Sequence, residues 1–139
     1  MAAISITAGS FIPSSSAQKT KGVAGATVTA GQALYIDTAN SNVLKLCDAD
    51  ASSLASTCCG IAMHGASSGQ DLWYVTSDPV CAIGATLVIG DTLWTSATAG
   101  GITKTFADNV TGCYVTCLGV AVSTTAFNLN ITRAGAVTP

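Results

Sequence analysis

Glutamate does not occur in this chain, histidine occurs once, at His64, and charged side chains make up only 9 % of it. Surface helices of soluble proteins draw their wet faces largely from Glu, Lys and Arg. A chain so poor in them is expected to be β-structure with a neutral exterior. The five basic residues, Lys19, Lys21, Lys45, Lys104 and Arg133, are spread along the sequence, and the net charge is −2. Binding a phosphate backbone needs clustered cations that displace counterions, so no nucleic acid is expected as a partner.

Long apolar runs are missing too. The longest uncharged stretch, Asn109 to Thr132, is interrupted by Gly112 and Gly119 and laced with Thr, Ser and Asn. A spanning helix needs about 20 predominantly apolar residues, so this stretch reads as two strands and a turn, and no membrane is expected. Met1 to Ile6 lacks the charged start and continuous apolar core of a signal peptide, and secretion is not expected either.

What the chain has is Gly, Ala, Ser and Thr, six cysteines, and one pattern used twice. Gly25, Gly31, Leu34, Lys45, Cys58, Gly60 and Ala62 recur as Gly84, Gly90, Leu93, Lys104, Cys117, Gly119 and Ala121, at a constant offset of 59. Such repetition governs the fold. Its alternation of short apolar runs with Gly and Asx turns predicts an all-β chain, a single small β-barrel or β-sandwich domain of two pseudo-repeats. At 139 residues the chain suits one domain with a real core. The expected boundaries are an extended arm over 1–22, a first repeat over 23–78, a second over 79–135, and a short tail from Ala134.

Within the first repeat, strands are expected at Thr27–Thr29, Gln32–Asp37 and Val43–Leu46, with a hairpin connection at Thr38–Asn42. Asp48 to Thr57 reads as a polar loop with one helical turn near Ser52–Ala55. Cys58–Met63 reads as a central strand, its bulky face (Cys59, Ile61, Met63) in the core and its small face (Cys58, Gly60, Ala62) under a second layer of backbone. Asp71–Thr76 closes the unit, with Asn130–Arg133 as its equivalent. The second repeat is expected to use Leu87–Ile89, Thr92–Ser96, Ile102–Phe106 and Cys113–Val122, where Leu118, Val120 and Val122 form the bulky face.

The arm carries Ile4, Ile6, Phe11 and Ile12, followed by Lys19 and Lys21. These six are the candidate contacts for a partner; the alternative is a frayed terminus or an edge strand of the same domain. Tyr35 and Trp94 occupy matching positions in the two repeats and face away from Leu34 and Leu93. They either anchor an oligomer interface or lie under a second layer.

Catalytic chemistry finds little to work with. His64 can be grouped on paper with Ser67 or Ser68 and Asp71, but no nucleophile elbow or phosphate loop accompanies it. Asp48 and Asp50 lack the spacing and terminal Glu of a calcium loop. The cysteines, Cys47, Cys58, Cys59, Cys81, Cys113 and Cys117, lack the paired spacing of a zinc site and are expected to be free thiols acting as small hydrophobes. Neither a catalytic residue nor a metal or cofactor is expected.

The order Gly25, Val28, Gly31, Leu34, Tyr35, the step Cys59-Gly60-Ile61-Ala62, the phrase Gly90-Asp91-Thr92-Leu93-Trp94 with Ala99-Gly100-Gly101-Ile102-Thr103 after it, and Leu118-Gly119-Val120-Ala121 together resemble the phage capsid decoration, or head cement, proteins. The resemblance covers about Val23 to Arg133, in short words built of common turn residues. It implies a small all-β structural virion protein, trimeric in many members, made in the host cytoplasm. On the outside of an icosahedral head it clamps the major capsid protein against DNA pressure. The cysteines are not part of that pattern. The alternative is a receptor- or glycan-binding β module of a phage fibre or head appendage, using Trp73 or Trp94.

Overall fold

The computed structural model describes residues 4, 6, 8–48, 55, 57–96, 99–104 and 114–136. It is all-β: among the described residues, apart from one 3-10 turn at Ala8–Ser10, the regular structure is ten strands. These are β1 (Phe11–Ile12), β2 (Gln18–Val23), β3 (Ala33–Asp37), β4 (Val43–Leu46), β5 (Gly60–Ala62), β6 (Asp71–Ile83), β7 (Thr92–Thr95), β8 (Ile102–Thr103), β9 (Tyr114–Ala121) and β10 (Ala126–Ala136). They form one curled antiparallel sheet in the order β4-β3-β5-β6-β10-β9-β7-β8, and β1 and β2 also pair with β6.

The duplication appears in the hydrogen bonding. Ala33 and Leu34 pair with Ile61 and Gly60, and Thr92 and Leu93 pair with Val120 and Gly119, the same register at the same offset. The turn before each first strand is also copied. Gly31 and Gly90 have φ of 87° and 97°, a region open to glycine at little cost. Their N–H groups donate to Ala62 O and Ala121 O at 2.9 and 3.0 Å. The next side chain closes each turn: Gln32 Oε1 accepts from Thr29 N, and Asp91 Oδ2 from Val88 N, both at 2.9 Å.

Past the central strands the repeats stop running in step. Ile61 and Ala62 pair with Val75 and Tyr74, whereas Val120 and Ala121 pair with Asn128 and Phe127, so the offset drops from 59 to 53. The equivalent of Tyr74-Val75 is therefore Phe127-Asn128, and the expected match to Asn130–Arg133 is replaced. The cause is a tight connection in the second repeat. Val122 N donates to Ala126 O at 3.0 Å, and Ser123 Oγ accepts from Thr125 N and Ala126 N, where the first repeat loops out through 64–70.

Several expected strands are shorter or longer than their sequence pattern. Val28 makes only an isolated bridge to Ala66, and Leu87 a single bond to Thr124 O at 2.7 Å. β5 keeps three residues, β8 stops at Thr103, and β10 continues to Ala136 through residues expected as tail. Of the helical turn expected near 52–55 only Ala55 is described, and Asp50, Phe106, Cys113 and the loop at 107–112 lie outside the described residues.

β6 crosses the expected boundary at 79 without a break. Pro79 has no N–H to give a ladder, and it sits where the β10 register slips between Leu129↔Asp78 and Phe127↔Cys81. Beside it Asp78 is fully buried, accepting from Ser14 N at 2.7 Å, from the Ser14 hydroxyl, and from Val80 N at 3.1 Å.

Two clusters fill the interior. The larger joins Ala33, Cys58, Ile61 and Val75 of the first repeat to Ile83, Leu93, Ala121 and Phe127 of the second. The smaller, with Leu34, Leu44, Ala62, Leu72 and Tyr74, belongs to the first repeat alone. It is enclosed where the chain leaving β2 folds over β4, with Gly25 N donating to Leu44 O at 2.7 Å.

Candidate interaction surfaces

The segment expected to reach outward as an arm is extended but paired with its own domain. β1 and β2 run antiparallel to β6, with Phe11 opposite Ile83 and Lys21 opposite Trp73. Phe11 is 5 % exposed, Ile4 and Ile6 pack against the larger cluster, and Ile4 N donates to Ile102 O at 2.8 Å. Three of the six candidate contacts are thus internal. The reason is proximity: burying a large apolar side chain contributes roughly 2 kcal/mol, and the open side of the second repeat is reached within the same chain.

Ile12, Lys19 and Lys21 are exposed, but not together. Lys19 and Lys21 belong to β2, whose residues are all exposed apart from half-buried Gly22. Lys21 Nζ lies 3.2 Å from Asp71 Oδ2, and half-exposed Trp73 sits opposite it on β6. Val23 is also exposed. Ile12 lies opposite Ala82 on a different face, near Val80.

The matched aromatics diverge in setting. Tyr35 is half-buried opposite Lys45, whose Nζ is 2.9 Å from Asp37 Oδ2. That ammonium holds the Asp37 carboxyl below its usual range. Trp94, also half-buried, pairs with Cys117 and Thr103, one residue short of the Tyr35 register. It shares the outer side of β7 with Thr92, while Leu93 enters the core.

The bulky face expected on both central strands is buried at Ile61 and at Leu118, but not along its length. Ile61 is 0 % exposed, but its counterpart Val120 is 43 % exposed and Val122 45 % exposed. On β9 it is Leu118 and Ala121 that join the core. Sequence reasoning missed this outer face, which also carries Val80 and is flanked by Val88 and Ile89 in the neighbouring turn. Its only signal was the repeat itself, which marks positions as equivalent without saying which is covered.

His64 makes backbone contacts through both ring nitrogens: Nδ1 donates to Gly65 O at 2.9 Å and Nε2 accepts from Trp73 N at 3.1 Å. Its Nε2 lone pair is engaged, and Asp71 is turned to Lys21. The paper grouping of His64, Ser67 or Ser68 and Asp71 is therefore not assembled as a proton relay. Cys47, Cys58, Cys59, Cys81 and Cys117 are free thiols. Burial pushes the Cys59 and Cys81 thiols up to about 12, and the Cys58 sulfur together with burial raises Cys47. Those three stay protonated at neutral pH and are poor nucleophiles. Among the described residues no group of three or more His, Cys or Asp is placed to hold a metal.

In comparisons with known proteins, no family model, no curated protein and no solved structure gives a significant match.

Proposed function

We propose that this chain is a capsid decoration protein that binds the major capsid protein on the outside of an icosahedral phage head, as a homotrimer, and stabilises the shell against internal DNA pressure. The observation that carries this reading is β2, a strand of mostly exposed residues that, among the described residues, pairs in the sheet with β6 alone and bears Lys19, Lys21 and Val23 beside Trp73. A strand of this kind offers backbone groups for adding one more strand, and the lysines give that edge a sign to recognise. The capsid contact is therefore assigned to the β2 edge and not to a reaching arm.

The mechanism needs no bond-making. Three copies on one axis present the same edge three times. Weak single contacts then add through effective concentration and clamp neighbouring capsid subunits.

Co-sedimentation with emptied phage heads lacking the protein tests the reading. The wild-type chain is expected to pellet with heads, and a Lys19→Asp, Lys21→Asp double variant to bind at least about tenfold more weakly with an unchanged circular dichroism spectrum. A wild-type chain that stays in the supernatant overturns the reading. Half-exposed Trp73 beside the polar loop at 64–70 favours a second reading, a glycan-binding module. Quenching of its fluorescence by oligosaccharides, with no head binding, would select that one.

A further inference from the structure

We infer that Cys58 is a reactive thiol and Cys47 its resolving partner, a pair that closes to a disulfide by exchange with a low-molecular-weight disulfide such as oxidised glutathione. The two cysteines lie on segments that flank β3. Cys47 N donates to Ala33 O and Cys59 N to Leu34 O, both at 2.8 Å, so the residues just past β4 and just before β5 are pinned to consecutive carbonyls of one strand. Ala33, whose side chain is only a methyl, shares the larger cluster with both cysteines and leaves them room to meet. There the Cys47 and Cys58 thiols are hydrogen-bonded to each other.

Position within the pair sets the two roles. Cys47 is 0 % exposed, whereas Cys58 is 6 % exposed and lies between exposed Thr57 and half-buried Cys59, so a small disulfide reaches Cys58 first. The Cys47 thiol donates to the Cys58 sulfur and favours its thiolate, an effect that outweighs the opposing one of burial. The thiolate is the form that attacks. As a thiol Cys58 instead donates to Gly60 O at 3.4 Å, a long contact given up on ionisation.

The exchange runs in two steps. The Cys58 thiolate attacks one sulfur of glutathione disulfide, a mixed disulfide forms at Cys58, and the first glutathione leaves as a thiolate. The chief cause that raises Cys47 is its hydrogen bond to the Cys58 sulfur, and a capped Cys58 carries no charge, so that cause is gone. Cys47 then gives up its proton and attacks Cys58 Sγ, and the second glutathione leaves. Two protein thiols are oxidised, one glutathione disulfide is reduced, and the two protons released end on the two glutathione thiols.

The crosslink closes a covalent ring over residues 47–58 and ties together the two flanks of β3. Its Cys47 end sits at a contact between the repeats, where Gly100 N donates to Cys47 O at 2.7 Å. In a reducing compartment the pair stays open, and outside it the pair closes. Both cysteines are in the core and Lys19 and Lys21 are on exposed β2, so this chemistry does not depend on the proposed capsid edge.

Incubation of the folded whole chain with oxidised glutathione, followed by acid quenching and peptic peptide mapping by mass spectrometry, tests the inference. The wild type is expected to lose the Cys47 and Cys58 thiols to a bridge between them. Cys47→Ser is expected to stop at the mixed disulfide, with glutathione retained on Cys58, and Cys58→Ser to leave Cys47 free. Cys47→Ala, which brings no hydroxyl into the core, repeats the trapping experiment should the serine variant fail to fold. A wild type with both thiols still free when the same chain in urea has reacted completely overturns the inference. So does a Cys58–Cys59 bridge in its place, or a folded Cys47 variant whose Cys58 stays uncapped.

Discussion

Gly60 and Gly119 show how tightly single positions are fixed. A Cβ added at Gly119 would lie 1.8 Å from Asn128 O, and one at Gly60 2.5 Å from Val75 O. Both obstacles are backbone carbonyls of the adjacent strand, which cannot rotate away as a side chain can. Gly119 also has a φ of 151°, a conformation L side chains rarely adopt. Gly119→Ala is expected to lower stability by more than about 4 kcal/mol, and Gly60→Ala by roughly 2 to 4 kcal/mol. Gly69 is the control. Its φ is 90° but nothing lies within 4 Å of the added Cβ, so Gly69→Ala is expected to cost only the left-handed strain, about 1 to 2 kcal/mol. Urea denaturation of the three variants measures this; a Gly119→Ala chain within 1 kcal/mol of wild type would mean the strands are not this close.

The need for small residues at these two positions was legible in the sequence, because both repeats keep glycine there between larger neighbours. The cause was not. A second layer of backbone was expected above them, whereas the contact is lateral, to β6 and β10 of the same sheet.

At the scale of elements, β3, β4 and β7 fall within their expected spans because alternation and a turn residue bound each of them. The N-terminal segment had no such pattern to read. Its hydrophobes are spaced irregularly, since they dock singly: Ile6 against Gly31, Phe11 beside Ile83, Ile4 against Ile102. Ser14 holds the break between β1 and β2 against buried Asp78. Removing Met1 to Lys21 strips β1 and most of β2 from β6 and leaves Asp78 without its Ser14 donors. The expected loss is several kcal/mol, comparable with the roughly 5 to 15 kcal/mol that holds a domain folded. The truncated chain should show no cooperative melt by circular dichroism at 25 °C and above; a sharp transition near that of wild type would mean the segment rests on the domain without supporting it.

For the whole molecule, the duplication suggests two modules, yet the halves cannot be parted. β6 serves both, pairing with β5 through Tyr74 and Val75 and with β10 through Ser77 to Ala82. The larger cluster draws on both repeats, and Gly100 of the second donates to Cys47 O of the first at 2.7 Å while its own carbonyl accepts from Ala33 N at 3.0 Å. Exposing either repeat would uncover apolar surface on the other, so no half-folded state is expected to be populated. Calorimetry should show one transition whose van't Hoff and calorimetric enthalpies agree once any self-association is diluted out. Its heat-capacity change should be that of all 139 residues, about 1.7 to 2.1 kcal/mol/K at roughly 12 to 15 cal/mol/K per residue. Two resolved transitions would show that the smaller cluster sustains the first repeat alone, making the shared strand a tether between independent modules. The buried row of Ala33, Ile61 and Val75 would then contribute little to holding the two repeats together.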